Sequence, residues 1–379
     1  MKYPIRVLCV FSTLDRGGSE TMCMNLYRNI DRERIQFDFI KHTETIGDYE
    51  QEIISLGGRI FSAPRFIGRN IFEYKKWWRG FFLSHPEYKI VHIHYFTLSG
   101  IICPIAKAYD VKTITHAHTS RADSFLKKIL NHNIRNVTDY YFACSKEAGI
   151  YLFGENKIHS KNFKVLPNAI DTEKYRYNES VREKARNSFS IIDELLIGHI
   201  GNFTEVKNHR FILKIFSSLR EKKKDVKLML VGDGPLRGEI EKYAEELGVL
   251  EDVIFTGVRS DVNELVQAMD FFVFPSLFEG LGIVAIEAQT SGLPCIISDT
   301  VPDEAIVTKN LVTVMSLNES AEKWADCIIA RLEEKRYSRV DEIKAKGYDV
   351  SETAKWLEEF YLSINNQTEE INGTKSSCS

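Results

Sequence analysis

The chain has 379 residues, more than a single hydrophobic core usually organises, so we expect two domains. Its composition, 44% hydrophobic and 27% charged, is typical of a globular protein, and no apolar run is long enough to predict a membrane-spanning helix. Residues 1–190 carry 29 Lys and Arg against 20 Asp and Glu, whereas the remainder carries 21 against 33. The basic first half is either an ordinary solvated surface or a face that meets something anionic, such as a membrane.

Short apolar segments that end in turn residues alternate along the chain with segments of helical length. The first series of such segments reads IRVLCVF, FDFI, RIFSA, IVHIHYF, TITHAH, YYFACS and FKVLPN, and the second reads LLIGHIGN, VKLMLVGDG, VIFTGV, FFVFPS, LPCIIS and LVTVMS. This alternation predicts parallel sheets with helices on both faces. The fold class is therefore α/β, with two doubly wound, Rossmann-like domains facing across a cleft, where ligands meet the carboxyl ends of strands.

Composition and pattern also predict the domain boundaries. The first domain spans 1–175, a polar and charged stretch at 176–194 connects the domains, and the second domain spans 195–348. An amphipathic helix over 349–364 is expected to pack back on the N-terminal domain. Residues 365–379 are polar and are predicted to be a disordered tail.

The first strand-to-helix connection contains a glycine pair. In STLDRGGSET, Gly17 and Gly18 precede Ser19, which is a good helix N-cap. Such a connection can cradle a phosphate, although a lone pair of glycines is weak evidence for one.

The first half contains two basic segments, and the first of them has two interpretations. FEYKKWWRGFF (72–82) mixes cations with aromatic residues, which suits either a membrane-interface helix or a helix packed against the first sheet. The second interpretation is the commoner one for such a helix. The segment 120–136 is similarly basic.

Four histidines lie at or near strand ends in VHIHYF and THAHTS. Alternation along a strand places His116 and His118 on one face, so the sequence alone does not separate them, and His92 is expected to be a core residue. His-x-His also suits metal ligation, but neither His94 nor its neighbours has a clear third or fourth ligand. The seven cysteines are scattered without a CxxC pair, so we expect no metal and a reduced, cytoplasmic protein without a secretory signal.

The most informative stretch is FEGLGIVAIEAQTSGLPCIIS (278–298). It places Glu279 and Glu287 eight residues apart in an apolar helix entered through a glycine loop. Unpaired amides at such a helix start, together with the helix dipole, favour a diphosphate. A carboxylate at each end can accept hydrogen bonds from the two hydroxyls of a sugar or ribose diol. The alternative, in which one carboxylate caps the helix and the other points to water, suits these apolar neighbours less well.

These motifs resemble those of the retaining glycosyltransferases of family 4 (glycosyl transferases group 1), which have the GT-B fold and include enzymes of capsular and exopolysaccharide biosynthesis. EGLGIVAIE matches the family's E-x7-E motif, and the resemblance extends over nearly the whole chain. PNAID resembles the hinge signature, with Ala169 where the family usually has Gly. VGDGP and FTGV also fall at family positions.

The resemblance implies a role for each matching residue. Glu279 would accept from hydroxyls of the donor sugar, Glu287 would hold the ribose, and Lys207 would neutralise the leaving diphosphate. The family usually has Arg where Asn202 stands, which removes one expected cation, and His209 or the other domain would have to compensate. His118 would face the donor sugar, with His116 as the alternative. The remaining donor-binding residues are glycine-loop and main-chain positions: Gly17, Gly18, Val258, Arg259, Gly280, Leu281, Gly282 and Ile283.

The sequence thus predicts a metal-independent, retaining hexosyltransferase that uses a nucleotide sugar, with UDP favoured, and needs no cofactor. The acceptor is expected to be a lipid-linked glycan of a bacterial surface polysaccharide, which would bring the protein to the inner face of the plasma membrane through its basic half. No D-x-D occurs, which disfavours a metal-dependent transferase. Two alternatives remain: a non-catalytic nucleotide-sugar-binding protein on the same fold, and an oxidoreductase, for which the first turn lacks G-x-G-x-x-G. We expect no nucleic-acid partner.

Overall fold

The computed structural model describes residues 3–118, 134, 136–332 and 336–376, with side chains up to Asn366. Most of the segment 120–136 therefore lies outside the described residues. The chain folds into two compact units: unit 1 holds residues 1–170 and 349–379, and unit 2 holds residues 171–348. No described helix combines the length and the apolar character needed to cross a membrane.

Unit 1 is built on a seven-stranded parallel sheet with the order β3-β2-β1-β4-β5-β6-β7. Its strands are β1 (Ile5–Val10), β2 (Ile35–Lys41), β3 (Ile60–Ser62), β4 (Ile90–Ile93), β5 (Lys112–Ala117), β6 (Tyr140–Ala143) and β7 (Phe163–Val165). Before residue 170, the described part of the chain forms the helices α1 (Gly18–Asn29), α2 (Glu50–Ser55), α3 (Ile71–Ser84), α4 (Ser99–Lys107), α5 (Lys146–Phe153) and α6 (Glu155–Ile158). The strand order reverses direction between β1 and β4, where ligands bind in such sheets.

Unit 2 is built on a six-stranded parallel sheet with the order β10-β9-β8-β11-β12-β13. Its strands are β8 (Leu195–Ile200), β9 (Val226–Val231), β10 (Val253–Gly257), β11 (Phe271–Phe274), β12 (Cys295–Ser298) and β13 (Val312–Met315). Its helices are α7 (Glu179–Ser188), α8 (His209–Lys222), α9 (Arg237–Glu246), α10 (Val262–Ala268), α11 (Ile283–Thr290), α12 (Ala321–Ile329) and α13 (Val340–Ala345). The reversal in strand order falls between β8 and β11. Two parallel, doubly wound sheets confirm the predicted fold class.

The last helix, α14 (Val350–Ser376), belongs to unit 1. Its buried Leu357, Tyr361 and Ile364 join the same apolar cluster as Val7 and Phe37 of the first sheet. Asp349 accepts a hydrogen bond from the backbone N–H of Glu352 at 3.1 Å, which caps the helix.

Three predicted boundaries differ from the structure, and the first is the end of the N-terminal domain, which falls at residue 170 and not at 175. The predicted connection 176–194 belongs to unit 2, because Arg186 in this stretch pairs with Asp270 at 3.1 Å and so ties the charged segment to the second sheet. The predicted disordered tail over 365–379 is helical as far as Ser376. An established helix adds one hydrogen bond for each residue it gains, and no proline interrupts this segment.

Half-buried Arg336 joins several backbone segments of unit 2. Its guanidinium donates to the carbonyl oxygens of Val266, Gln267, Met269 and Ser291 at 2.7–3.0 Å. Desolvation lowers the pKa of Arg336 to about 9, and these carbonyl partners occupy its N–H groups.

Candidate functional site

Lys207 and Glu279 come together at the carboxyl ends of β8 and β11, the two strands at which the order of the second sheet reverses. The backbone N–H of Leu277 donates to the carbonyl of Val206 at 2.7 Å, which joins the loops that follow these strands. Lys207 Nζ then lies 2.6 Å from Glu279 Oε1. Two residues 72 positions apart, each predicted to bind the donor, therefore form an ion pair with each other.

The surroundings of Lys207 explain its position. A Cβ at Gly201 would lie 3.1 Å from Lys207 Cδ, so the glycine leaves room for the lysine stem. The ammonium lies 5.0 Å from the centre of the Phe274 ring, within the range of a cation–π interaction. Sequence reasoning did not single out Phe274, because an aromatic residue in a buried strand is usually only a core residue.

The loop after β11 enters α11 through a left-handed residue. Gly282 has φ +79° and ψ 49°, and a Cβ there would approach Phe274 to 3.1 Å, so both conformation and space favour glycine. Gly280 is exposed, Leu281 is buried, and Ile283 is the first helical residue. The structure thus places these predicted diphosphate-binding amides at a helix N-terminus beside Glu279.

Glu287 lies one turn further along α11, in a desolvated position. Burial of its carboxyl group raises the pKa to about 7, and a hydrogen bond with Tyr175 opposes part of that rise. Desolvation and the neighbouring Glu287 raise the pKa of Tyr175 well above its ordinary value. Sequence reasoning missed Tyr175, which ends the stretch PNAIDTEKY. Its position in the hinge motif was the only available signal.

The other predicted donor residues of unit 2 lie on neighbouring loops. Asn202 follows β8 and is exposed. Val258 follows β10 and is 69% exposed, while Arg259 pairs with Asp261 at 2.6 Å.

His209 does not replace the missing cation. It is buried, and its ring stacks on Phe203 with centroids 4.1 Å apart. Desolvation, followed by the charge of Lys207, lowers the pKa of His209 to about 4, so it is neutral at pH 7. The structure therefore does not support the expectation that a charged His209 supplies the positive charge that Asn202 lacks.

In unit 1, the predicted phosphate cradle holds a carboxylate. Gly17, rather than Ser19, is the N-cap of α1, and a Cβ at Gly17 would clash with a carboxylate oxygen of Glu20. Ser19 instead donates its hydroxyl to Glu20 at 2.7 Å. Gly18 has no neighbouring atom within 4 Å of its Cβ position among the described residues. A phosphate at Gly17 would therefore have to displace the Glu20 side chain.

The four histidines form two hydrogen-bonded pairs. His92 Nε2 lies 3.2 Å from His116 Nδ1, and His94 Nδ1 lies 2.9 Å from His118 Nε2. The rings within each pair are nearly coplanar, with interplanar angles of 7° and 21°. The two pairs stack on one another. The ring centroids of His92 and His94 lie 4.2 Å apart, and those of His116 and His118 lie 4.1 Å apart. Tyr361 of α14 holds His92 Nδ1 at 2.6 Å.

All four rings are neutral at pH 7. Desolvation lowers the pKa of His92 and His118 to about 3, and lowers those of His94 and His116 well below the ordinary value. His116 is fully buried, whereas His118 is half-buried. Exposure therefore favours His118 over His116 as the residue that meets a ligand.

The structure brings three histidines close enough to be considered as metal ligands, because ring nitrogens of His92, His94 and His116 lie within 4.8 Å of one another. Their geometry is nevertheless that of hydrogen bonds. His92 Nε2 and His116 Nδ1 lie 3.2 Å apart, a distance at which one ring donates a hydrogen bond to the other.

Comparisons with known proteins place this architecture. Residues 16–174 match the model for Glycosyltransferase Family 4, and residues 181–349 match the model for Glycosyl transferases group 1. The protein named glycosyltransferase EpsF of Bacillus subtilis (strain 168) is 39% identical over 332 residues, covering 85% of this chain and 86% of that one. The UDP-Gal:alpha-D-GlcNAc-diphosphoundecaprenol alpha-1,3-galactosyltransferase of Escherichia coli is 27% identical over 237 residues, covering 57% and 59%.

Among solved structures, Anabaena Alr3699/HepE in complex with UDP and glucose superposes with a TM-score of 0.70 at 17% identity, covering 98% of this chain and all of that one. This likeness shows a shared GT-B fold. The two family models together span most of the chain, and EpsF is similar over most of both sequences. The chain is therefore a glycosyltransferase that belongs to family 4, the glycosyl transferases group 1.

Proposed function

We propose that the protein transfers a hexose-type sugar from a UDP-sugar to an acceptor hydroxyl, with retention of configuration at the anomeric carbon. The observation that carries the proposal is the cluster of Lys207, Glu279 and the α11 N-terminus at the strand reversal of unit 2. UDP and glucose in the HepE complex, and the UDP-Gal named for the E. coli relative, support this choice of donor.

The chemistry assigned to these residues is charge stabilisation and positioning. Lys207 and the α11 amides would stabilise the departing diphosphate, so the proposal needs neither metal nor cofactor. Glu279 would accept hydrogen bonds from the sugar and Glu287 from the ribose. No carboxylate is assigned as a covalent nucleophile, so we propose front-face attack assisted by the leaving group. In unit 1, the family resemblance assigns His118 to the sugar.

Donor binding and turnover test the proposal. UDP-glucose, UDP-galactose and their GDP and ADP counterparts would be compared by thermal shift, since a bound donor raises the melting temperature by mass action. UDP release, with and without a lipid-linked acceptor, separates an enzyme from a non-catalytic binding protein. Nuclear magnetic resonance of the product reports the anomeric configuration.

Matched variants sharpen that test. Glu279→Gln should lower turnover and Glu287→Gln should weaken donor binding, whereas Glu239→Gln removes an exposed ion pair with Arg210 and should change neither. Absence of any donor-induced shift, or normal kinetics in both Glu279→Gln and Glu287→Gln, would contradict the assignment.

For the acceptor, we propose a lipid-linked glycan of a bacterial surface polysaccharide, reached by association with an anionic membrane. Helix α3 supports this step. Phe72 and Leu83 are 83% and 73% exposed, and the exposed Lys76 and Arg79 lie between them at helical spacing. The opposite face of α3 packs into the core through Tyr74, Trp78, Phe81 and Phe82. Apolar side chains flanked by cations suit an anionic lipid interface.

Vesicle flotation tests the membrane step. Vesicles with anionic lipid should retain the protein more than neutral vesicles, and the double variant Phe72→Ser/Leu83→Ser should reduce retention. Ile192→Ser removes an exposed apolar side chain of unit 2, 77% exposed, and serves as the control. Equal retention by neutral and anionic vesicles, or equal loss in the control, would argue against this surface.

A further inference from the structure

The ion pair between Lys207 and Glu279 occupies both of the groups that the donor needs. Their side chains are only 20% and 11% exposed, and the atoms are 2.6 Å apart. While this contact persists, the ammonium is partly neutralised toward a phosphate, and the carboxylate has an acceptor oxygen committed to the lysine. A ligand that binds one residue of the pair separates it from the other, whose charge is partly buried. Unless the ligand also supplies a new partner for that second charge, the loss of the ion pair opposes binding.

Other nearby charges offer little replacement among the described residues. Arg210 pairs with Glu239, and Arg259 pairs with Asp261, each at 2.6 Å. Asn202, exposed on the loop after β8, carries no charge. Lys207 is therefore the group on these loops that can meet a diphosphate, and Glu279 is its current partner.

We propose that the intact donor exchanges this ion pair for two new contacts, and that Glu279 thereby makes the site prefer a nucleotide sugar to the free nucleoside diphosphate. This inference rests on the proposed function. The diphosphate takes Lys207, and sugar hydroxyls donate to the released Glu279, so both charges stay paired. A nucleoside diphosphate without a sugar pairs with Lys207 but supplies no hydroxyl that could donate a hydrogen bond to Glu279. The carboxylate of Glu279 is then left desolvated and unpaired.

The exchange has a consequence for the catalytic cycle. After the sugar leaves, the remaining nucleotide competes with Glu279 for Lys207, and re-forming the ion pair favours its release. Glu279 thus acts as a discriminating residue on the nucleotide as well as a contact for the sugar. Glutamine retains hydrogen bonding to a hydroxyl but has no charge to compete for lysine.

Calorimetric dissociation constants for UDP and UDP-glucose test the exchange in the full-length protein. In the wild type, UDP-glucose should bind about tenfold more tightly than UDP, a difference of about 1.4 kcal/mol. In Glu279→Gln, UDP should bind several-fold more tightly than in the wild type while UDP-glucose binds more weakly. The two changes have opposite signs, which a general loss of structure would not produce. Glu239→Gln should leave the ratio unchanged.

Each other outcome is decisive. If Glu279→Gln weakens both ligands equally, or leaves the ratio of the two dissociation constants unchanged, the exchange is refuted while the donor site stands. If UDP and UDP-glucose do not bind the wild type, the pair of nucleotide and nucleotide sugar identified by thermal shift replaces them. If no such pair binds, the proposed function fails together with the inference. A Glu279→Asp variant, with a shorter reach to Lys207, should give an intermediate ratio.

Discussion

Donor binding should depend on pH through Glu287. Its pKa is raised to about 7, so the carboxylate and the carboxylic acid coexist near neutral pH. Under the proposed function, the ribose hydroxyls donate to the charged form, in which both carboxylate oxygens are acceptors and Tyr175 engages only part of that capacity. The protonated form loses acceptor capacity, because one of its oxygens carries the proton. Replacing Glu287 with Gln removes the titration while conserving the shape of the side chain.

The size of the effect follows from the fraction of ionised Glu287. With a pKa of about 7, roughly one molecule in eleven is ionised at pH 6 and ten in eleven at pH 8, and apparent affinity scales with the competent fraction. The dissociation constant of the donor should therefore rise about tenfold between pH 8 and pH 6. Desolvation lowers the pKa of His92 and His118 to about 3 and those of His94 and His116 well below the ordinary value, so these four histidines do not contribute in this range.

Isothermal titration with UDP-glucose at several pH values measures this dependence, and the diphosphate of a nucleotide sugar does not titrate between pH 6 and 8. Glu287→Gln should bind more weakly and with a flat pH profile. The reasoning is refuted if the wild-type dissociation constant is constant over this range, or if Glu287→Gln retains the wild-type slope.

Stability and turnover give further predictions. The folded-state pKa of Glu287 is raised from 4.5 to about 7, so the contribution of Glu287 to the free energy of unfolding falls as pH rises between these values. Glu287→Gln should therefore stabilise the folded protein by up to about 3 kcal/mol at pH 8 and by little at pH 4, as measured by calorimetry. Gly282→Ala should cost about 1–2 kcal/mol in urea unfolding and weaken UDP binding, because its φ of +79° strains any other residue. Arg336→Met should cost about 3–5 kcal/mol, since four carbonyl oxygens lose their donor; a cost below about 1 kcal/mol would contradict this role. His94→Phe should preserve UDP affinity but lower turnover, because His118 loses its 2.9 Å partner; unchanged turnover would argue against a positioning role.

The sequence predicted the features that depend on local pattern and strand order. Alternating apolar segments give both sheets, and the end of a parallel strand places Lys207 and Glu279 at one edge. Side-chain pairing between distant segments was not predictable in the same way. The contact of Glu287 with Tyr175 depends on where the hinge stretch runs, and the head-on pairing of His94 with His118 depends on the register between β4 and β5.

The glycine loop illustrates a second limit. A pair of glycines before a helix is compatible with a phosphate, but the backbone pattern does not reveal which side chain occupies that space. Glu20 fills it in the structure, with its pKa raised by desolvation. The helical segment past residue 364 shows the same limit, since polar composition alone does not end a helix that is already formed.

The return of α14 to the first sheet sets an order on biosynthesis. The two chain crossings are adjacent, because the N–H of Val350 donates to the carbonyl of Ile170 at 2.9 Å, so unit 2 is an uninterrupted insertion within unit 1. A ribosome working at about 5–20 residues per second needs on the order of 10–40 s to make that insertion. During this interval the apolar surface around Phe37 of the nascent first sheet lacks the last helix that covers it. It is covered only after Tyr361 and Ile364 have been synthesised.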